Sequence, residues 1–458
     1  MGFTSETRTA ADRIRLGLSV LDHRADVQPV APPEGGLLAE PRRGQPKALA
    51  GPYSRRALEP PPTRNIELMA VATEGSGVTR GVVAGADSTG WRRALAAPRP
   101  VLESLFCILL PLAAPAMIVA YLIGAYKPRP GWVEGIYFPD GGFLFDLHVM
   151  WKAGHDVVTG HSPYPFVYPP PAAFFMAPFG ALPWSVAVVA FTLSAIAALV
   201  LALRLLGVRD WRCYALALGA LPMSSSLMIG TLSPFLALGA AAAWRYRHTR
   251  WPVAVAIVGV VATKIFLWPL VFWLLATRRY RTAATTVVLG IATVFVTWGI
   301  IGFDGLRDYP HRLRWVAGIE QDKSYSPFAF LRLLGLTPGA ARLAVLALTI
   351  AALGAVAALA RGKDGDRRSF LVALGTGLIA SPIVWMHYLV LLIVPMAIYR
   401  PRFGAAWVVP LAFWYLPGQE NHGSARNIAL MLALTAVTLA LAMRRERERL
   451  PAPVLSSP

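Results

Sequence analysis

The chain is 458 residues long, 55% of its residues are hydrophobic and only 15% are charged. Soluble domains carry about 25% charged residues, so this composition excludes an ordinary soluble enzyme, a coiled coil and a disordered scaffold, and it indicates a membrane protein. The formal net charge of +19 predicts basic cytoplasmic loops rather than nucleic-acid binding. Two cysteines, Cys107 and Cys213, supply neither a disulfide framework nor a cysteine metal site.

The first hundred residues differ in composition from the rest of the chain. Residues 1–100 contain eleven prolines and no sustained apolar period, so they bury too little apolar surface to offset the entropy cost of ordering. We predict a disordered cytoplasmic tail over 1–100, a transmembrane domain over 101–443 and a basic cytoplasmic tail over 444–458. A signal peptide is not expected, because no charged start leads into a short apolar core. Met69 is a plausible alternative start of the protein, so whether residues 1–68 belong to the native protein stays open.

Apolar runs recur through the remainder of the chain. They predict an all-α, polytopic membrane protein with roughly 10–12 transmembrane helices and a long first outer loop. The runs cover residues 101–123, 184–203, 213–229, 231–244, 252–276, 282–302, 341–360, 369–399, 404–416 and 428–443. Several of them are short or interrupted, which is tolerated where a segment lines a cavity enclosed by protein.

Clusters of basic residues between the apolar runs indicate the orientation of the chain. All of these clusters lie on the cytoplasmic side if 252–276 and 369–399 are hairpins of short helices rather than single spans. The hydrophilic segments 124–167 and 303–326 then face outward, together with most of the histidines. We therefore expect the chemistry of this protein on the non-cytoplasmic face of the membrane.

The first outer loop contains a carboxylate beside a predicted surface helix. Apolar residues recur at helical spacing after Asp146 and predict an amphipathic helix on the membrane surface that ends at Gly160. Asp146 has two interpretations: it caps the helix N-terminus, or it takes a proton from a substrate hydroxyl beside the membrane. Tyr164 and Tyr168 lie in a proline-rich stretch that predicts a stiff, extended re-entry into the bilayer.

One lysine, Lys264, lies inside the apolar run 252–276. A lysine at the centre of a membrane helix costs about 2.5–3.5 kcal/mol, so such a residue indicates a functional site by default. The alternative is that Lys264 reaches water from a short helix end. For His387, the alternative to substrate contact is a role in helix packing. For Arg332, the alternative is anchoring at the membrane interface.

Several motifs occur in order along 101–443. They are Asp146-Leu-His-Val149 with Gly160, Pro163-Tyr164 and Tyr168-Pro169-Pro170, then Lys264, then Ser326-Pro327 with Arg332, and finally Ser381-Pro382-Ile-Val-Trp385-Met-His387-Tyr388. This ordered set resembles glycosyltransferase family 87, a family of polytopic GT-C class enzymes that includes polyprenyl-phosphomannose-dependent α-mannosyltransferases. The chain departs from the family pattern at residues 230–234 and at Tyr388, which stands where the family has a second histidine.

The resemblance implies a GT-C-like fold and transfer of a sugar, mannose, from a polyprenyl-phosphate-sugar to a cell-envelope glycolipid or glycan hydroxyl. It implies an active site on the outer face of a bacterial plasma membrane, and it leaves arabinose open as the transferred sugar. Asp146 is implied as the base of an inverting displacement. The residues implied to bind the donor phosphate or the sugar are Lys264, Arg332, His387, Tyr164, Tyr168 and Trp385. Neither a metal ion nor another cofactor is implied. The expected partners are the donor, the acceptor and the lipid bilayer.

Two other hypotheses stay open from the sequence. Lys264, the interrupted helices and the many spans also fit a transporter or flippase of a lipid-linked substrate. The departures at residues 230–234 and at Tyr388 also fit a family member that has lost its activity.

Overall fold

The computed structural model describes Leu109, residues 144–418 and residues 420–443. The predicted tails 1–100 and 444–458 lie outside the described residues, as does all of the predicted first span except Leu109. The described residues form helices joined by turns and short loops, with no strand among them, so the predicted all-α class is confirmed.

The first part of the described chain runs from the outer loop to the first of the broken segments. Its helices are α1 (Phe145–Val158), α2 (Pro170–Gly180), α3 (Trp184–Leu205), α4 (Trp211–Gly219), α5 (Leu221–Ile229), α6 (Ser233–Arg245) and α7 (Arg250–Thr263). α1 is the helix predicted after Asp146, and Gly160 follows its end with a φ of 76°, as expected of a C-terminal glycine. α2 begins at Pro170, where the missing backbone N–H costs nothing.

The second part contains a further set of helices and several short turns. Its helices are α8 (Pro269–Ala276), α9 (Tyr280–Ile300), α10 (Tyr309–Glu320), α11 (Pro327–Leu333), α12 (Pro338–Leu359), α13 (Gly365–Ala380), α14 (Ile393–Tyr399), α15 (Ala405–Val408) and α16 (Ala425–Met443). Segments of 3₁₀ helix cover Ile265–Leu267, Gln321–Lys323, Met386–Leu392 and Val409–Tyr415.

Four helices of the described region are long and apolar enough to cross a membrane, namely α3, α9, α12 and α16. Large apolar side chains cover their outer surfaces; Ile291 of α9 and Leu343 of α12 are 65% and 69% exposed. Such surfaces suit contact with lipid rather than water. The protein is therefore a multi-pass membrane protein, while the predicted total of roughly 10–12 spans stays a prediction.

The predicted hairpin over 252–276 is confirmed by the ion pairs at its base. α7 runs to Lys264, where the chain turns, and α8 returns. Arg247 before α7 and Arg279 after α8 bind the same carboxylate, that of Asp366, with N–O distances of 3.0 Å and 2.7 Å. A single straight helix of this length would hold the two arginines roughly 45 Å apart, so only a turn in the middle brings both to one partner.

The predicted hairpin over 369–399 is confirmed by a contact between its ends. The guanidinium of Arg367, near the start of α13, lies 4.6 Å from the centre of the Tyr399 ring at the end of α14. α13 ends before Ser381-Pro382, because proline lacks a backbone donor and disfavours a helical conformation in the residue before it. The segments 252–276 and 369–399 therefore each begin and end at the same side of the helical domain.

Basic residues from several helix ends gather at the bases of these hairpins. Arg212 lies 4.2 Å from the centre of the Phe403 ring, and Arg400 donates a hydrogen bond to the carbonyl of Ala442 in α16 at 3.1 Å. We call this end, which is defined by Asp366 and these arginines, the basic end. Its composition is what the predicted arrangement of basic loops requires.

The opposite end, which we call the loop end, carries α1 and α10. There the backbone N–H of Leu144 donates to the carbonyl of Met228 at the end of α5, at 2.7 Å. The ring of Tyr164, in the stretch between α1 and α2, stacks on Trp298 near the end of α9, with 4.8 Å between centroids. These contacts hold residues 144–167 of the predicted outer loop against α5 and α9, and residues 124–143 of that loop lie outside the described residues.

Candidate active site

The apices of the two hairpins meet near the loop end. Lys264 ends α7 in an extended conformation, with φ −141° and ψ 105°, and Pro269 then begins α8. The second hairpin turns through residues 381–385 into the 3₁₀ segment Met386–Leu392. Lys264 Nζ donates a hydrogen bond of 3.3 Å to the Tyr388 hydroxyl, 124 residues away in the chain. The breaks in the two apolar segments therefore build one common site.

The amine of Lys264 is enclosed by aromatic rings rather than by water. Lys264 is only 4% exposed, and its Nζ lies 4.4 Å from the centre of the Tyr388 ring and 5.2 Å from that of Tyr168. Phe266 stacks on Tyr388, with ring planes 2° apart and centroids at 4.8 Å. The cation is stabilised by the ring faces, so the alternative that this lysine reaches water from a helix end is wrong.

Asp146 occupies the first turn of α1 and faces the same group. Leu144 flanks the helix start and no side chain caps the helix, so the capping interpretation of Asp146 is wrong. The residue as a whole is half-buried, and its carboxylate is within electrostatic range of the Lys264 side chain and the Tyr168 hydroxyl. Burial raises the pKa of the Asp146 carboxyl above its usual value, and the positive charge of Lys264 lowers it in part.

A glycine brings the turn between α5 and α6 against α1 beside this carboxylate. Gly230 has a φ of 76°, and a Cβ added to it would overlap the Cβ of Leu147, the residue that follows Asp146. The buried hydroxyls of Ser226 and Thr231 share a hydrogen bond of 2.7 Å in the same turn. Gly230 is the first residue of the stretch 230–234 that departs from the family pattern. It forms a close packing contact that positions the start of α1.

We expect Gly230→Ala to destabilise the protein by about 1–3 kcal/mol more than Gly160→Ala. Gly160 has the same φ of 76°, but a Cβ added there meets nothing within 4 Å. Both substitutions carry the cost of a left-handed alanine, whereas only Gly230→Ala adds overpacking against α1. Unfolding of the two variants in detergent, followed by circular dichroism, gives the difference. Equal destabilisation would contradict the packing role assigned to Gly230.

Three aromatic residues form a wall next to the Lys264 group. The Tyr164 hydroxyl donates to the carbonyl of Tyr168 at 3.2 Å, and the Tyr164 ring stacks on Trp298. Tyr309, at the start of α10, meets both rings edge-on at 6.1 Å and 5.9 Å. Rings arranged in this way offer flat apolar surfaces with polar rims, which suits a sugar at the membrane boundary.

His387 and Trp385 lie at the apex of the second hairpin. His387 is 2% exposed, and its ring meets the Tyr388 ring edge-on with 4.8 Å between centroids. Trp385 is half-buried, and its carbonyl accepts the backbone N–H of Tyr388 at 2.9 Å. His387 is thus joined to the Lys264 group through Tyr388, and Trp385 contacts Tyr388 through its backbone carbonyl.

Arg332 is placed differently from the other predicted residues. Its guanidinium donates to the carbonyl of Leu336 at 2.7 Å and lies 3.8 Å from the Asp322 carboxylate. Leu336 and Asp322 flank α11 in the sequence, so these contacts of Arg332 stabilise this helix and the turns beside it. The described part of the chain shows no contact between Arg332 and Lys264 or Tyr388, so its geometry fits the anchoring interpretation.

Phe266, Trp298 and Tyr309 were not among the residues singled out from the sequence. Phe266 and Trp298 lie within apolar runs, where they have the same sequence signature as lipid-facing side chains, and Tyr309 lies in the hydrophilic segment 303–326, where no motif marks it. Tyr388 was visible only as a departure from a family pattern. Among the described residues, no three His, Cys, Asp or Glu side chains come together in a group that could hold a metal ion.

An apolar cavity of about 370 Å³ opens between α7 and α9 beside the Lys264 group. Val258, Val261 and Ile265 line it on one side, and Val294 and Trp298 on the other. The cavity runs along two helices of which α9 is a candidate membrane span. It therefore offers a hydrocarbon chain a path from the bilayer to the site.

The arrangement joins three chemical capabilities at the membrane boundary. A carboxylate, Asp146, is available to accept a proton. An ammonium, Lys264, hydrogen-bonded to the Tyr388 hydroxyl, is available to stabilise negative charge. An apolar cavity and an aromatic wall adjoin both groups. Such a site suits attack by a hydroxyl on a substrate that carries an anionic group on a lipid.

Comparison with known proteins finds a matching family model and two similar mycobacterial proteins. The family model described as glycosyltransferase family 87 matches residues 166–382. The chain is 28% identical over 337 residues to a protein of Mycolicibacterium smegmatis, covering 67% of this chain and 76% of the relative. It is 29% identical over 326 residues to a protein of Mycobacterium tuberculosis, covering 62% of this chain and 70% of the relative.

Both relatives are named polyprenol-phosphate-mannose-dependent alpha-(1-2)-phosphatidylinositol pentamannoside mannosyltransferase. The matched region of the family model includes Lys264, Arg332 and the two hairpin apices up to Pro382, and it begins after Asp146. No solved structure gives a significant match.

Proposed function

We propose that the chain belongs to glycosyltransferase family 87, whose model matches residues 166–382, and that it transfers mannose from a polyprenyl-phosphate-mannose to a hydroxyl of a cell-envelope glycolipid. The observation that carries this proposal is the enclosed Lys264–Tyr388 pair, with Asp146 within electrostatic reach and an apolar cavity alongside. The donor named for both mycobacterial relatives has the matching parts: a sugar, a phosphate and a long hydrocarbon tail.

The cavity between α7 and α9 supports a donor carried on lipid. A polyprenyl tail in this cavity would have its phosphate near Lys264, since Ile265 lines the cavity and directly follows that lysine. The Lys264 ammonium and the Tyr388 hydroxyl are both donors of hydrogen bonds to phosphate oxygens. The sugar would then lie toward the loop end, next to Tyr164 and Tyr168.

Transfer proceeds in this proposal by one displacement at the anomeric carbon. The acceptor hydroxyl oxygen attacks that carbon, and its proton passes to the Asp146 carboxylate. The bond between the anomeric carbon and the phosphate oxygen breaks, and its electron pair leaves with polyprenyl phosphate. Lys264 and Tyr388 stabilise the charge that develops on the departing phosphate. The configuration at the anomeric carbon inverts, so a β-linked donor gives an α-linked product.

We further propose that the protein lies in the bacterial plasma membrane with this site on the non-cytoplasmic face. The support is the concentration of arginines at the basic end, because basic segments are retained in the cytoplasm. The loop end, with Asp146 and the aromatic wall, then meets the outer headgroup layer. His387 belongs to the proposed site through its contact with Tyr388, and Arg332 is proposed as an anchor of α11.

The test is a transfer assay with the purified protein in lipid nanodiscs. Two donors that carry radiolabelled mannose, polyprenyl-phosphate-mannose and GDP-mannose, are each mixed with a phosphatidylinositol mannoside acceptor. We expect label in the acceptor only with the lipid donor, and none when the acceptor is omitted. Transfer from GDP-mannose at an equal rate would contradict the proposal. Movement of the lipid donor across a liposome membrane without transfer would favour the flippase hypothesis.

A further inference from the structure

A second cavity, of about 560 Å³, opens at the basic end. It lies between the end of α8, the end of α12 and the loop before α7. Its charged lining consists of Arg278, Arg279, Arg361, His248 and one carboxylate, Asp366. At 1.5 Å per helical residue, the length of α7 separates this cavity from Lys264 by roughly 20 Å. The cavity is therefore distinct from the proposed transfer site.

The positive charge of this cavity exceeds the negative charge of its one carboxylate. Asp366 already binds Arg279 through two hydrogen bonds of 2.7 Å and 2.8 Å, and it also binds Arg247 at 3.0 Å. In the described chain, neither Arg278 nor Arg361 has a carboxylate oxygen within 4.0 Å. Two guanidinium groups thus line the cavity with their donors available for an anion.

The cavity lies where the headgroups of a bilayer would be. α9 begins at Tyr280, directly after Arg279, and α12 ends at Leu359, just before the cavity lining at Arg361. Both helices are candidate membrane spans, so their ends mark the boundary of the hydrocarbon core. Leu275 and Tyr280, next to the cavity in sequence, are 42% and 61% exposed and offer apolar surface for an acyl chain.

The backbone at Arg278 adds an independent observation. Arg278 has a φ of 61°, a left-handed conformation that costs an L-residue roughly 1–2 kcal/mol and that glycine adopts freely. The turn after α8 therefore holds an arginine side chain at a position where the backbone favours glycine. Arg278 in this turn is one of the residues that line the cavity.

We propose that this cavity binds the headgroup phosphate of an anionic phospholipid in the leaflet at the basic end. Guanidinium groups bind phosphate oxygens in pairs, and basic pockets between membrane helices on the cytoplasmic side hold acidic lipid headgroups. Because Arg279 belongs to both the lining and the base of the first hairpin, a bound headgroup also contacts that base. The site does not depend on the transfer reaction.

The experiment titrates the full-length protein in detergent with phosphatidylglycerol or phosphatidylcholine and measures bound lipid by native mass spectrometry. We expect tighter binding of phosphatidylglycerol. In the double variant Arg278→Asn, Arg361→Gln, we expect the dissociation constant for phosphatidylglycerol to rise on the order of 30-fold. Asparagine tolerates the left-handed backbone at Arg278. A thermal unfolding curve checks that the variant is folded.

The matched control is Arg209→Gln, Arg402→Gln, which removes two exposed arginines of the same end outside this cavity. Unchanged binding in this control supports a specific site, and so does binding that survives an excess of inorganic phosphate. Equal weakening in both double variants, or equal affinity of the wild-type protein for the two lipids, would overturn the proposal. Displacement by inorganic phosphate would overturn the assignment to lipid. None of these readouts involves mannose transfer, so failure of the transfer proposal leaves this test intact.

Discussion

Asp146→Asn is expected to lower kcat for mannose transfer by about 10²–10⁴-fold, the usual contribution of a positioned general base. The amide keeps the size of the carboxylate but takes no proton from the acceptor hydroxyl. Because Asp146 caps no helix, the fold is expected to survive, with donor binding retained. Steady-state rates in nanodiscs, with the donor concentration varied, separate the loss of kcat from any change in KM.

Asp156→Asn is the matched control for this variant. Asp156 lies on the same helix, and its carboxylate forms an exposed ion pair with Lys152 at 3.1 Å. Exposed pairs of this kind contribute at most about 1 kcal/mol, so we expect a rate close to that of the wild-type protein. If Asp146→Asn retained a wild-type rate, or if both variants lost activity equally, Asp146 would not be the base.

The sequence predicted the fold well because membrane insertion imposes strong constraints on a chain. Apolar runs and intervening arginines were enough to predict the hairpins over 252–276 and 369–399, since any other path would put basic residues on both sides of the membrane. Lys264 was predicted as a site residue for a related reason: a charge in an apolar run is costly and must have a partner. The structure provides that partner in Tyr388.

Other parts of the candidate site could not be predicted from the sequence. The pairing of Lys264 with Tyr388 depends on the approach of two hairpin apices, and no local pattern encodes an approach across 124 residues. Phe266 and Trp298 carry no polar group that marks them among other apolar residues. Arg332 shows the opposite problem: an arginine at a helix end has the same signature whether it binds substrate or the nearby Leu336 carbonyl.

Lys264→Met is expected to lower kcat by about 10²–10³-fold, the cost of removing one preorganised donor of charge stabilisation. Methionine fills a similar volume in the aromatic enclosure but leaves the developing phosphate charge without its cation. Tyr388→Phe keeps the ring that stacks on Phe266 and removes only the hydroxyl bonded to Lys264, so we expect a smaller loss, of about tenfold. Rates measured at saturating donor compare the two variants.

Lys152→Met serves as the control, since it removes an exposed lysine at 3.1 Å from Asp156. We expect this control to transfer mannose at nearly the wild-type rate. Wild-type values of both kcat and KM in Lys264→Met would contradict a role for this lysine at the donor phosphate. A raised KM with an unchanged kcat would instead assign Lys264 to ground-state binding of the donor rather than to stabilisation of the leaving group.

The pH dependence of the transfer rate of Lys264→Met separates two effects of this substitution: the loss of charge stabilisation at the phosphate and the change in the pKa of Asp146. The positive charge of Lys264 lowers the pKa of Asp146, against the rise caused by burial. Removing that charge therefore raises the pKa of the base. Since the base acts only when deprotonated, the rate falls with decreasing pH through this pKa, and the acidic limb of the pH–rate profile moves to higher pH in the variant. Tyr388→Phe keeps the ammonium and is expected to leave that limb near its wild-type position. A limb that stays in place in Lys264→Met would mean that Asp146 is not the titrating base.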